Sequence, residues 1–538
     1  MGVLYLLHTR PWLCITRKKA GFATRKLYSK GALLYRNRIL CQALRMASSG
    51  MNVAAFQKDK AYVDGKWVSA KSGKTFEVTN PSNGKVLGSV PDMDRSDAQA
   101  AIETAYRTFQ AWKSTLPKER SDILRRWFEL CVKHKKELAT LITLEMGKSF
   151  PEAEGEIAYS ANFLEWYSEE TRRTYGDVTP PPAHNKRVMV IKQPIGVAAM
   201  ITPWNFPSAM LTRKIGAALA AGCTVVARPA EDTPLSALAL CELAEQAGVP
   251  PGVVNVITSS RENASPIGKE LCENPLIAKI SFTGSCAVGK LLLSQCANTV
   301  KKTSMELGGN APFIVFDSAD VDKAIQGLMF AKFRVTGQTC ICANRILVQE
   351  GVYDKFVQAL AKVIDSQLKV GDGFEPGVTQ GPLINKRAVE KVENLVNSSV
   401  GEGAKVVVGG SRKDGPGNFF NPTLLRDVTT EMSVAKEEIF GPVAACIKFK
   451  TEDEAIAIAN STSYGLASYF YTNDISQSYR VSEALEFGMV GVNEAAITSP
   501  ETTFGGWKES GLGSEGGKYG INEYLAFKNI CYGIQHKA

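Results

Sequence analysis

An α/β fold built on a doubly wound parallel sheet is what this sequence predicts. Three observations carry the reading. Short apolar runs alternate with helices between residues 188 and 283, a glycine closes one of those helices, and the 538 residues have ordinary globular composition. With 44% hydrophobic and 22% charged residues, disordered, collagen-like and mucin-like classes are excluded. The length implies two or three domains.

Ser96-Asp97-Ala98-Gln99 reads as a capping box. Ile102, Ala105, Phe109 and Trp112 recur behind it at helical spacing, so residues 96–172 read as consecutive helices. Residues 176–185 are Pro-rich and turn-like, and 188–191 read as a short strand. A buried strand follows at 196–202, then a helix at 211–221 closed by Gly222. Residues 224–227 form a strand. Thr233-Pro234 opens a helix reaching Ala247. Strands at 253–257 and 277–283 complete the first α/β region, and 312–316 and 345–348 start a second.

No run of ~18 apolar residues occurs, so no membrane span is expected. The longest apolar stretch, 215–227, is 13 residues and holds two glycines. Residues 1–50 carry ten Lys/Arg and no Asp or Glu, which leaves 53 basic and 54 acidic side chains in the remainder. The basic charge thus belongs to the leader, and a nucleic-acid surface is not implied. That leader reads as a mitochondrial transit peptide, with a basic tail as the plainer alternative. Twelve cysteines form no CxxC pair, and the four histidines form no cluster, so no metal site is expected.

Gly511, Gly513 and Gly516 spell GxGxxG, but too near the C-terminus for a βαβ unit, so a structural turn is expected. The better phosphate loop is 282–290, which contains Gly284, Ser285 and Gly289 between a strand and a helix. The residues alone fit a dinucleotide site, a nucleoside triphosphatase site or a structural turn. Leu291 counts against the second, because it replaces the Ser/Thr that would bind Mg²⁺. Cys340, in Gly337-Gln338-Thr339-Cys340, reads as an accessible thiol. As a nucleophile it would need a base or a positive environment that lowers its pKa. Glu306, among Met and Leu side chains, would have a raised pKa suited to a general base, or is simply a surface or paired residue. Asn205 ends a strand, where it can donate to an oxyanion or stabilise a turn. Cys342 is placed either to trap oxidised Cys340 in a reversible disulfide or merely to pack.

Together these segments resemble the aldehyde dehydrogenase superfamily and, within it, its succinate-semialdehyde branch. The residues that carry the resemblance are 201–207, 228–231, 282–285, 305–309, 337–340, 437–442 and 504–506, in the family's order. The resemblance implies an aldehyde dehydrogenase-like fold: a Rossmann-type NAD-binding domain (58–174 and 194–305), an α/β catalytic domain (306–508) and a small β oligomerisation arm (175–193 and 509–538). It implies Cys340 as nucleophile, Asn205 and the Cys340 N–H as oxyanion donors, Glu306 as base, Lys214 as supporting lysine and Glu515 as a second carboxylate. Thr202, Trp204, Arg228, Glu231, Gly284, Ser285, Gly289, Glu438 and Phe440 match cofactor positions. Arg213, Arg334 and Thr498 match the carboxylate-binding positions of the branch, with Thr498 replacing a serine. Arg228, Cys286 and Val335 depart from the family's usual Lys, Thr and Asn. The implied enzyme is a mitochondrial-matrix homotetramer that uses NAD⁺ to oxidise a semialdehyde in 4-aminobutanoate breakdown. The same chemistry on another aldehyde, or a non-catalytic relative, are the alternatives.

Overall fold

The computed structural model describes residues 53–535. The transit-peptide reading of residues 1–50 falls outside them.

The first helix runs Arg95–Trp112. Its cap is Asp94, two residues ahead of the Ser96 the sequence suggests. The Asp94 carboxylate accepts from the Ser96 and Asp97 N–H groups, and the Asp97 side chain accepts from the Asp94 N–H. Three further helices follow, Pro117–Lys133, Lys135–Met146 and Phe150–Glu170.

Two sheets then form. In the eight-stranded sheet, Val197–Ile201 lies at the centre, parallel to both Thr224–Arg228 and Ile277–Thr283. Val254–Val256 and Lys302–Glu306 extend it in parallel on either side. Every residue of Val197–Ile201 and Thr224–Arg228 is buried, as expected of parallel strands covered on both faces. The helix before Thr224–Arg228 ends at Gly222 as predicted, and the helix after it ends at Ala247. Gly222 and Gly248 adopt φ values of 94° and 88° and cap Ala209–Ala221 and Pro234–Ala247. The doubly wound parallel region is therefore present.

The seven-stranded sheet centres on Ala311–Val315 and Ala343–Gln349, again parallel. A third sheet pairs Lys186–Pro194 with Leu525–Gly533 over nine residue pairs, with Asp177–Thr179 on its other edge. The strand foreseen at 188–191 is thus the middle of a longer one. Gly511–Leu512 pairs with Met305 and Glu306 at the edge of the eight-stranded sheet. The GxGxxG segment runs from that strand through a bend to a bridge between Glu515 and Phe504, with Gly513 at φ 80° and Gly516 at φ 69°.

Candidate active site

The carboxyl ends of parallel strands are where α/β sheets place ligands. Thr202 and Trp204 follow the strand Val197–Ile201. Arg228 ends the next strand, with Glu231 three residues on. Gly284 and Ser285 follow Ile277–Thr283, and Glu306 ends Lys302–Glu306. Four adjacent strands thus bring six of the predicted cofactor residues and the predicted base to one sheet edge.

That edge suits a dinucleotide. Ser285 caps the helix Cys286–Cys296 without a side-chain bond to its first N–H groups, which stay available to an anion. The buried hydroxyls of Thr202 and Thr283 have no partner among the described residues. A Cβ on Gly289 would lie 2.5 Å from Leu307, so this glycine lets the helix pack. Arg228 bonds the Ser259 hydroxyl through Nε at 3.0 Å and Glu231 through Nη2 at 2.8 Å. Burial raises the Glu231 carboxyl, but the Arg228 guanidinium, a backbone hydrogen bond and the Arg261 charge together hold it below its usual range. Glu438 and Phe440 come from the loop before Val443–Phe449. Glu438 accepts from the Gly309 N–H at 3.0 Å, and the Phe440 ring meets Trp204 edge-on at 5.5 Å. Desolvation pushes the Glu438 carboxyl up to about 7.

Cys340 lies between the helix Val321–Phe333 and the strand Ala343–Gln349. The chain reaches it through three left-handed residues, Val335, Thr336 and Gly337, at φ 53°, 55° and 74°. Only a glycine suits the last of these, because a Cβ on Gly337 would lie 2.2 Å from the Gly441 carbonyl. Val335 is a β-branched residue in a conformation that disfavours it. Its N–H donates to Glu152 Oε1 at 2.7 Å, and the Thr336 hydroxyl donates to the Gly381 carbonyl at 3.1 Å. These bonds hold the turn. Asn205 Nδ2 donates to the Gln338 carbonyl at 3.0 Å, which fixes its amide beside the cysteine loop.

Cys340 opens into a cavity of about 590 Å³ whose lining includes Tyr159, Phe206, Arg213, Arg334 and Thr498. The thiol departs from the expected low pKa. Burial pushes it up to about 12, and Arg213 only partly offsets this. It is therefore protonated at neutral pH and must lose its proton as it attacks. Glu306 is buried with both carboxyl oxygens unpartnered among the described residues. Desolvation and the Glu515 charge drive its pKa well above the usual range. Such a carboxyl group can accept a proton near neutrality.

Lys214 and Arg213 both pair with the buried Glu515. Arg213 also lies over the Phe504 ring, 4.3 Å from its centroid. Arg213 therefore reaches the cavity with its guanidinium tied to Glu515, whereas Arg334 is half-buried and stacks on Phe330 and Phe206 with no carboxylate partner among the described residues. Cys342 does not line the cavity. It is 7% exposed, and its thiol donates to the Lys332 carbonyl at 3.3 Å.

Three functional neighbours escaped the sequence reading. Tyr159 hydrogen-bonds Thr498 at the cavity wall. Lys148 and Glu156 form a buried ion pair at 2.6 Å, and Lys148 also donates to the Asn205 carbonyl at 2.7 Å. Their only signal is helical spacing, which marks a face and not a partner.

Residues 67–530 match the aldehyde dehydrogenase family. The chain belongs to that family. It is 58% identical over 493 residues to the mitochondrial succinate-semialdehyde dehydrogenase of Homo sapiens, covering 92% of this chain and 91% of that protein. It is 53% identical over 484 residues to the succinate-semialdehyde dehydrogenase [NADP(+)] GabD of Escherichia coli (strain K12), covering 90% of this chain and 100% of that one. A crystal structure of betaine aldehyde dehydrogenase from Staphylococcus aureus in complex with NAD⁺ superposes with a TM-score of 0.87 at 34% identity, covering 90% of this chain and 97% of that one. Aldehyde dehydrogenase membership makes the chain an oxidoreductase acting on aldehydes.

Proposed function

We propose that this enzyme oxidises succinate semialdehyde to succinate with NAD⁺ in the mitochondrial matrix, as a step of 4-aminobutanoate breakdown. The observation that carries the substrate is the cavity. Cys340 shares it with Arg334, Arg213, Thr498 and Tyr159, a set suited to hold a carboxylate at the far end of a short aldehyde.

Arg334 and Thr498 bind the substrate carboxylate, while Arg213 adds positive potential from its place against Glu515. Cys340 attacks the aldehyde carbon to give a thiohemiacetal. The Asn205 amide and the Cys340 N–H hold its oxyanion. The chemistry that a bound nicotinamide dinucleotide supplies is acceptance of a hydride, which leaves a thioester on Cys340. Glu306 then takes a proton from the water that hydrolyses the thioester; the Glu515 charge raises its proton affinity and Lys214 lowers it.

Glu306→Gln is expected to lower kcat by about 10²–10⁴-fold. A rapid first turnover of NADH should persist while steady-state turnover slows. Glu306 must be deprotonated to act, so its raised pKa places a rising limb in the kcat–pH profile, lost in the variant. Stopped-flow absorbance over a pH series checks this. Wild-type turnover in Glu306→Gln would remove it as the base.

NAD⁺ preference rests on Glu231, ionised and 2.8 Å from Arg228. Its charge opposes a 2′-phosphate, and its removal frees Arg228 to accept one. Glu231→Gln should raise kcat/KM for NADP⁺ by about 10- to 100-fold, corresponding to about 1.4–2.8 kcal/mol. An unchanged NADP⁺/NAD⁺ ratio would contradict the assignment.

Cys342 is proposed to trap oxidised Cys340. Its thiol must first leave the Lys332 carbonyl. Dithiothreitol should restore peroxide-treated enzyme, and Cys342→Ala should lose that recovery; equal recovery in the variant rejects the switch.

A homotetramer built through the arm is proposed from the outer face of the third sheet. Val178 and Tyr532, whose register partners Met189 and Arg187 share one face, are 80% and 49% exposed there, an arrangement that favours burial against another subunit.

A further inference from the structure

Two buried thiols remote from Cys340 stand together in the cofactor-side sheet region. Cys272 lies in the last turn of the helix Arg261–Glu273, and Cys296 ends the helix Cys286–Cys296. One turn earlier on each helix, the two elements touch. A Cβ on Gly268 would lie 3.6 Å from Leu292 Cδ2, so the glycine permits close approach without a clash. Cys272 is four residues beyond Gly268, and Cys296 is four beyond Leu292. Residues four apart share a helix face, so the two cysteines inherit the contact.

Further bonds tie the two ends together. The Thr299 hydroxyl reaches both backbones, 3.0 Å from the Cys296 carbonyl and 3.4 Å from that of Cys272. The two thiols hydrogen-bond each other. Lys301 donates to the Asn274 carbonyl at 2.7 Å, which brings its ammonium beside the pair. The hydrogen bond from Cys272 holds the Cys296 thiol below its usual range, with Lys301 acting in the same direction. Both cysteines are otherwise enclosed, at 0% and 3% exposure, among apolar neighbours.

We infer that Cys272 and Cys296 form a second, structural disulfide under peroxide, independent of Cys340. The Cys296 thiolate attacks one peroxide oxygen, the O–O bond breaks, and the departing hydroxide takes a proton to become water. Cys272 sulfur then attacks the resulting sulfenic sulfur, an S–S bond forms, and the sulfenic oxygen leaves as a second water. Two thiols lose two electrons in total, and one peroxide gains them. Access comes through the short turn Ala297–Thr299 and Val300, which is 90% exposed at φ 50°.

The ring so closed contains the strand Ile277–Thr283 and the phosphate loop after it. It pins the far end of the helix whose N-terminus faces the cofactor edge. The cross-link stabilises this unit by restricting its unfolded chain and leaves the loop itself in place.

The test uses the full chain with Cys340→Ala and Cys342→Ala, so that the catalytic thiol contributes nothing. After peroxide, non-reducing tryptic mapping should join residues 270–279 to residues 291–301, two hydrogens lighter than the separate peptides. The melting temperature should rise by several degrees, dithiothreitol should reverse both changes, and NAD⁺ affinity should stay within about two-fold. Adding Cys296→Ala or Cys272→Ala should abolish the joined peptide and the shift while NAD⁺ binding confirms folding. Recovery of both peptides unjoined after peroxide, or a joined peptide without a rise in melting temperature, would overturn the inference.

Discussion

Cys340→Ala is expected to lower kcat by about 10⁴-fold or more, with no acyl-enzyme detectable by mass spectrometry. No second thiol can take over. Cys342 is turned toward the Lys332 carbonyl and lies outside the cavity. The remaining described cysteines lie on other elements. The cofactor residues occupy strand ends that do not depend on the sulfur, so NAD⁺ should still bind with near-normal affinity. Titration of intrinsic fluorescence with NAD⁺ and a turnover assay on the same preparation separate the two. Residual activity near wild type would place the covalent chemistry elsewhere.

The high pKa of Cys340 belongs to the same argument. Burial, opposed by Arg213, holds the thiol protonated at up to about 12. Such a group reacts more slowly with alkylating agents and peroxide than a thiolate does. It becomes a nucleophile only when attack is coupled to proton loss. Glu306, itself driven up by burial and by Glu515, is a carboxylate within electrostatic reach.

Much of this was legible in the residues. Gly222 marked a helix end because few other residues tolerate the left-handed conformation it adopts. The loop at 282–290 was legible because a strand, a glycine and a helix start occur in one short segment. What stayed hidden depends on distant partners. Glu515 lies about 300 residues from Arg213 and Lys214, and nothing local shows that it pairs with both. Val335 bears no mark of a left-handed turn, since its side chain argues against one; bonds from Glu152 and Gly381 decide the matter. Ser96 and Asp94 are both competent caps, and only the backbone geometry selects Asp94.

The Glu515 contact changes what the two arginines should do. Arg213→Ala would leave Glu515 with one fewer cation and place more negative charge beside Glu306. Loss of Arg213 should therefore damage turnover of every aldehyde. Arg334 has no such structural tie, only aromatic neighbours. Arg334→Ala should raise KM selectively for substrates with a terminal carboxylate. A desolvated charged contact is worth roughly 2–4 kcal/mol, which corresponds to about 30- to 1000-fold.

The most direct measurement is the ratio of kcat/KM for succinate semialdehyde to that for butyraldehyde, which has the same carbon chain without the carboxylate. Wild-type enzyme should favour succinate semialdehyde by about 30-fold or more, and Arg334→Ala should bring the ratio near unity with butyraldehyde turnover preserved. A wild-type ratio near unity, or equal losses on both aldehydes in Arg334→Ala, would contradict carboxylate recognition in the Cys340 cavity.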